Sequence, residues 1–444
     1  MALSFALVIF TGSLLLTLPI SQAATSNATY FDNLFSSVSM VCVTGLFIEP
    51  VYLSYSTFGQ VICIVLMQIG GLGLMTLIAS LFIGIGKNIR FSDKQAIKEA
   101  LNKSDMKELK PFLLNIVKYT MIIEFVGFLL LTTVFVPEFG FTRGVFNSVF
   151  VAVSAFCNAG FDNFGAISLQ SYVHNPVVNF TVASLIILGG IGFAVWFDVT
   201  NNTKSLIKGK HFSLKKLFNK LRPHTKFALT VTAIVISSGT LIGLILEYGN
   251  INSIGNFSFL DKVMTSFFQT VTMRTAGFAT VDYTTMRPIS NYIYVFTMLV
   301  GGSPGGAAGG VKTTTFALVV LLIYSQYKSK ENINVFNHTV SNGTMKNALV
   351  IMMTFLLVLF GATGLLMVFE PNITLLPLLF EAVSALCTVG VSMNLTPTLS
   401  QASHVVIMLL MFMGRIGPMT MLLSFRKPQK DKEITYTDAN ILIG

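Results

Sequence analysis

Four stretches of this chain are variants of one pattern, and that repetition limits what it can fold into more than any other feature. The segments "FSSVSMVCVTGLF", "FVAVSAFCNAGFD", "FFQTVTMRTAGFA" and "FEAVSALCTVGVS" align on Gly45, Gly160, Gly277 and Gly390, about 115 residues apart. Ten residues before each glycine stands Phe35, Phe150, Phe267 or Phe380. Six before stand Ser39, Ser154, Val271 and Ser384; three before stand Cys42, Cys157, Arg274 and Cys387. Long apolar stretches flank every copy. One unit therefore reads as a spanning helix, a short apolar segment ending at the glycine, and a second spanning helix. The units take residues 1–86, 110–200, 223–327 and 345–425, and 426–444 form a C-terminal tail.

Those flanking stretches require a membrane. Only 11% of residues are charged, where soluble domains carry about 25%. Met1–Phe31, Thr57–Gly86, Pro176–Phe197, Phe227–Leu246, Pro288–Val311 and Asn347–Phe369 hold no charge. Phe112–Val136 carries only Lys118 and Glu124, and Ala402–Ser424 only Arg415. Each reaches about the 20 residues that a spanning helix needs, which predicts eight spans in an all-α integral membrane protein. The segments before the glycines are too short to cross. They are predicted to be re-entrant, their irregular ends buried or lining a watery cavity. The first stretch has the small-residue look of a secretory signal but lacks a basic leader. Its Gly12 precedes Gly45 by the same interval as Gly127 precedes Gly160, so it is read as a retained span. The lack of a leading cytoplasmic tail leaves open a shortened chain.

The net charge of +10 is segregated rather than spread. Lys87–Lys110, Lys204–Lys226, Lys328–Lys346 and Arg426–Lys432 hold most of the Lys and Arg, and they alternate with loops poor in both. By the positive-inside rule the basic loops and both termini are cytoplasmic, and nucleic acid is not the partner. The opposite face carries Asp32, Glu49, Glu138, Asp162, Glu247, Asp261, Asp282, Glu370 and Glu381. It either gathers cations at a mouth or is ordinary solvated loop charge. Cys42, Cys63, Cys157 and Cys387 sit in apolar context without metal-ligand spacing and read as buried thiols.

A fourfold repeat of re-entrant segments implies one central pore. Each short helix would present its partially negative C-terminal end to the axis, favouring a cation. Val43-Thr44-Gly45, Asn158-Ala159-Gly160, Thr275-Ala276-Gly277 and Thr388-Val389-Gly390 would then be extended backbone. Glycine admits positive φ, so carbonyls on both sides of it can face the axis. Rings of such oxygens replace the hydration shell of a potassium ion.

The second helices share a further pattern: Gly70-Gly71-Leu72-Gly73, Gly189-Gly190-Ile191-Gly192, Gly301-Gly302-Ser303-Pro304 and Gly414-Arg415-Ile416-Gly417. In the first two copies these glycines read as close helix packing. The third continues through Gly305, Gly306, Ala307, Ala308 and Gly309 to Gly310, too rich in Gly and Pro for a helix. Unwound backbone at that depth is tolerable only beside a water-filled cavity. In the fourth copy Arg415 lies in mid-helix, where a charge is expensive unless it faces loop carbonyls or the pore.

"CVTGLF", "CNAGFD", "RTAGFA" and "CTVGVS" in four such units resemble the superfamily of bacterial Trk and Ktr membrane subunits and plant HKT proteins. The likeness covers nearly the whole chain, and its length and ending "ITYTDANILIG" are more similar to Ktr than to Trk. The resemblance implies potassium passage through single-glycine filters at Gly45, Gly160, Gly277 and Gly390. A serine at the first position accompanies sodium preference in some HKT proteins, so Gly45 implies potassium. It further implies that 300–310 is a gating loop held by Arg415, with Lys312 beside it, in a bacterial plasma-membrane protein. The implied partners are a second copy, in a homodimer with the tail at its interface, and a cytosolic ring of RCK-type nucleotide-binding subunits. Sodium enters as a possible activator. The chain carries no catalytic or nucleotide-binding motif of its own. Lys87–Lys110 and Lys204–Lys226 would dock that ring or bind anionic lipid.

Three charges keep two readings each. Lys312 either positions ions or snorkels to the interface. Glu124 is a proton or sodium ligand, or a buried structural acid. Arg274, beside the third filter segment, is expected to pair with Asp261, Asp282 or Glu381. The rival to a potassium pore is a sodium-selective or sodium/proton-coupled carrier with Glu124 as an obligatory ligand.

Overall fold

A computed structural model describes residues 2–73, 109–165, 167–209, 213–330 and 332–417. Its helices recur in the order outer, short, inner. The outer helices are Ala2–Thr17, Leu109–Phe139, Pro223–Glu247 and Asn342–Phe369. The short helices are Tyr30–Val41, Phe141–Cys157, Phe259–Thr272 and Leu375–Leu386. The inner helices are Thr57–Leu72, Pro176–Gly190, Pro288–Leu299 and Gln401–Ile416. Beyond them lie the helices Phe193–Lys208, Leu214–Lys220 and Thr313–Tyr327, and a two-stranded hairpin pairing Asn334–Val335 with His338–Thr339.

Local chemistry sets the helix starts. Thr29 and Asp32 form a capping box at Tyr30, while the Ser56, Ser258 and Ser400 hydroxyls accept the first free N–H groups of their helices. Pro176, Pro223 and Pro288 occupy first-turn positions, where no donor is lost. The short helices are packed inside, with Phe35, Phe150, Phe268 and Phe380 fully buried. The outer helices turn Leu3, Phe10, Phe125, Ile245 and Leu357 outward. So much outward apolar surface suits lipid and not water.

The structure bears on the expected spans in two ways. Among the described residues, three helices are long and apolar enough to cross a membrane: Phe112–Phe139, Pro223–Glu247 and Asn342–Phe369. The inner helices end sooner than the apolar runs do, because each stops at or beside the glycines of its repeated motif. Expected continuations at 74–86 and 418–425 lie outside the described residues, as do the basic segment 87–108 and the tail 426–444. Second, Pro176–Phe197 is not one helix. It breaks after Gly190, and Phe193–Lys208 leaves at 101°. Counted as one broken span, the pair makes a fourth. Gly192 carries the turn at φ 94°, and the Phe193 N–H freed by the break donates to the Gly305 carbonyl at 3.1 Å.

Candidate functional site

The four aligned glycines meet. A Cβ placed on Gly45 would lie 2.7 Å from the Ala159 carbonyl oxygen, and one on Gly160 2.7 Å from that of Ala276. On Gly277 it would lie 2.9 Å from the Val389 oxygen, and on Gly390 it would strike the Thr44 oxygen. The contacts thus run unit one to two, two to three, three to four, and back to one. Each glycine faces the carbonyl just before its neighbour's glycine, in a closed ring with no room for a side chain.

The backbone repeats as the sequence does. Each short helix ends a few residues before its glycine in a left-handed residue: Val43 at φ 57°, Asn158 at 58°, Thr275 at 68° and Thr388 at 52°. The glycines follow at φ 102°, 72°, 90° and 91°. This alternation turns the intervening carbonyls toward the ring. The serines six positions upstream hold it in place. Ser39 Oγ accepts the Gly45 N–H at 3.1 Å, Ser384 Oγ the Gly390 N–H at 3.1 Å, and Ser154 Oγ the Phe161 N–H at 2.9 Å. In unit three, where Val271 breaks the pattern, the Thr272 hydroxyl donates to the Phe278 carbonyl at 2.7 Å instead. These serines stood out in the alignment without a role; their regular offset was the signal.

Glycine pairs of the inner helices let them approach the short helices. A Cβ on Gly70, Gly189 or Gly414 would strike the carbonyl oxygen of Val41, Phe156 or Leu386. The packing reading of the first two copies therefore describes what these glycines touch, but in unit two it is incomplete. Ser303 N–H donates to the Gly190 carbonyl at 2.8 Å and Ala307 N–H to that of Gly189 at 3.0 Å.

Those donors belong to the glycine-rich loop. The helix stops at Leu299 and resumes at Thr313, joined by one isolated parallel bridge between Val300 and Val311. The loop lies against the base of the glycine ring: Gly309 N–H donates to Thr275 Oγ1 at 3.2 Å. Three cations bind its carbonyls. Arg415 donates to the oxygens of Ala307 and Gly70, and to that of Gly71 at 3.3 Å. Lys312 Nζ turns back onto the Ala308 oxygen at 2.7 Å. Arg274 reaches the Gly301 oxygen at 3.5 Å and Thr232 Oγ1 at 3.4 Å.

The contact to Gly301 corrects the expectation for Arg274. Asp261 faces His174 at 3.1 Å, Asp282 caps Thr284 at 2.9 Å, and Glu381 takes the Ser392 hydroxyl at 2.8 Å and that of Thr396. Among the described residues no carboxylate pairs with Arg274. Asp261 lies in the first turn of Phe259–Thr272 and Arg274 just past its last, about 20 Å apart at 1.5 Å per residue.

The outer acids are mostly occupied as caps. Glu247 accepts Arg287 N–H at 3.0 Å, Ser253 Oγ at 2.6 Å and the Ser290 hydroxyl. Glu370 accepts Ser400 N–H at 2.8 Å, and Glu138 the Tyr172 hydroxyl at 2.8 Å. Asp162, two residues past Gly160, is held by Phe164 N–H and Ser168, yet burial pushes its carboxyl up to about 6. Glu124 is buried, with one oxygen taking Gln68 Nε2 at 3.4 Å and the other without a partner among the described residues. All four cysteines are free and buried. No cluster of metal-ligating side chains occurs among the described residues. The concentration of uncharged backbone oxygens on one axis suits a weakly hydrated monovalent cation.

A family model described as TrkH, cation transport protein, matches residues 3–435. The chain is 35% identical over 444 residues to the Ktr system potassium uptake protein B of Bacillus subtilis, covering 100% of this chain and 96% of that one. It is 35% identical over 446 residues to the potassium/sodium uptake protein NtpJ of Enterococcus hirae, covering 99% and 95%. The crystal structure of the potassium transporter TrkH from Vibrio parahaemolyticus superposes with a TM-score of 0.73 at 17% identity, over 96% of this chain and 83% of that one.

Proposed function

Because this chain belongs to the TrkH family of cation transport proteins, we propose that it is the pore subunit of a potassium uptake system. It is a transporter and not an enzyme. Potassium enters down its electrochemical gradient through the ring of Gly45, Gly160, Gly277 and Gly390, shedding water to the carbonyls on either side of each glycine. The observation that carries this reading is the closed ring itself, in which every glycine faces the carbonyl before the next. Loop 300–310 is the gate, held shut by Arg415 and Lys312 at the inner end of the ring. Eight membrane crossings place both termini in the cytoplasm of a bacterial cell. The chain works as a homodimer on a cytosolic ring of nucleotide-binding subunits, which supplies the regulation this chain lacks, with sodium as an activator. The relative named as a Ktr system protein supports a partner subunit.

A second reading, in which sodium is also carried, is favoured by the relative named for potassium and sodium. One experiment separates them: flux into proteoliposomes holding the purified chain, with potassium and sodium gradients imposed separately. Potassium flux well above sodium flux is expected, and Gly45→Ser should lower that ratio while flux persists. Equal or larger sodium flux would replace this reading with the sodium one. Selectivity unchanged in Gly45→Ser would remove Gly45 from the filter.

A further inference from the structure

We propose that His404 is a positioning residue for ion selectivity: it pins the chain that follows Gly390, at the seam where units four and one close the ring. The proposal rests on the ring being the filter.

His404 belongs to a fourfold set. Gln60, Asn179, Asn291 and His404 each stand ten residues before the first glycine of the motif in their inner helix, Gly70, Gly189, Gly301 or Gly414. Each turns a nitrogen onto one carbonyl of the connector that leads into that helix. Gln60 Nε2 donates to the Tyr55 oxygen at 2.9 Å, Asn179 Nδ2 to that of Tyr172 at 2.8 Å, and Asn291 Nδ2 to that of Tyr283 at 2.9 Å. His404 Nε2 meets the Thr396 oxygen at 2.7 Å. A carbonyl only accepts, so Nε2 carries the proton. The same four connector residues are gripped a second time, by their hydroxyls. That of Tyr55 bonds Asn33 at 2.9 Å and that of Tyr172 bonds Glu138 at 2.8 Å. Tyr283 meets the Gln269 amide at 2.5 Å, and Thr396 donates to the Glu381 carboxylate.

Units three and four share their offsets from the ring. Tyr283 and Thr396 lie six residues past Gly277 and Gly390, and Asn291 and His404 fourteen past. In unit four Glu381 also takes the hydroxyl of Ser392, two residues past Gly390, at 2.8 Å. The connector is therefore fixed to the short helix through Glu381 and to the inner helix through His404, and both are buried. A filter that discriminates by its carbonyl oxygens needs those atoms held within about 0.5 Å. A connector free to slide would carry the Gly390 backbone with it.

Of the four donors, His404 alone is a ring. The imidazole lies 5.3 Å from Phe35 at 68° and 6.2 Å from Phe31, both on the short helix of unit one. An amide can hold the carbonyl, but an aromatic ring also packs edge-on against Phe35. His404 thus ties the Gly390 connector to unit one, the unit whose Thr44 faces Gly390.

The test is the potassium-to-sodium flux ratio of the full chain in proteoliposomes. Loss of folded protein lowers both fluxes together and leaves the ratio alone. His404→Ala should lower the ratio several-fold. His404→Asn, which returns the donor of unit three without the ring, should recover most of it. His404→Phe, the ring without the donor, should not. A ratio retained in His404→Phe and lost in His404→Asn would reduce the residue to packing and overturn the proposal. So would a ratio that no His404 variant moves. If His404→Phe does not assemble, Asn291→Leu removes the equivalent bond of unit three at nearly constant shape, and an unchanged ratio there overturns the proposal as well. Gly45→Ser measured alongside keeps the two failures apart. A ratio lost in Gly45→Ser but kept in His404→Ala removes the brace alone, and a ratio kept in both removes the filter reading with it.

Discussion

Val43, Thr275 and Thr388 are β-branched residues at φ 57°, 68° and 52°, a conformation that costs on the order of 1–3 kcal/mol each. It persists only where the surroundings leave no alternative. Here the short helix ahead and the glycine behind allow none. The serines at the sixth upstream position add to that constraint, since leaving a buried N–H such as that of Gly390 without its acceptor costs about 1–3 kcal/mol. Asp162 makes a prediction at this scale. Burial raises its carboxyl to about 6, so it is mostly charged at pH 7.5 and mostly neutral at pH 5. A carboxylate two residues from the glycine ring attracts cations and a neutral acid does not. Potassium uptake at fixed driving force should fall about two- to tenfold as external pH drops through about 6, and Asp162→Asn should abolish that slope. A slope of equal size in the variant would assign it elsewhere.

Among the elements, the loop and the break in unit two form one device. Gly189 and Gly190 accept from Ala307 and Ser303, and Gly305 accepts from Phe193, so neither segment moves without releasing the other. Trp196, the chain's one tryptophan, sits in the first turn after the break and donates its indole N–H back across it to the Leu188 carbonyl at 2.9 Å. Arg415→Gln should raise potassium flux several-fold by loosening the loop, and it should shift the Trp196 emission maximum as that bond opens. Raised flux with unchanged emission would uncouple the loop from the break. The loop and the glycine alignment were legible in the sequence because Gly and Pro runs and repeated offsets are local signals. The break was not. Gly189-Gly190-Ile191-Gly192 resembles its unit-one counterpart, apolar residues continue through Phe197, and the donors that make the break tolerable come from residues over 100 positions away. Arg274 was misread for a similar reason. Its partner is a carbonyl, which no side-chain pattern discloses.

Across the whole molecule, the ring ties units that are distant in sequence, and so does the apolar packing. One buried cluster joins Phe35 and Met40 of unit one to Phe380 and Ile407 of unit four, and another joins Phe156 and Val182 of unit two to Phe268 and Phe278 of unit three. No half of the chain contains a complete ring. Severing the backbone within residues 210–212, in the basic linker between units two and three, should leave two fragments that conduct no potassium alone. Co-expressed, they should copurify and conduct. Potassium flux from either fragment by itself would contradict the ring.

The order of contacts around that ring also bears on how the protein is made. Gly390 meets Thr44, so the circle closes between the first and last quarters of the chain. While the ribosome is still at work, the first three glycine segments have emerged and the fourth side of the ring is missing. Their polar backbone must be sheltered by the insertion machinery or by neighbouring helices until the final unit arrives. The ring is therefore completed in one late step, and a chain stalled before Gly390 lacks one of its four sides.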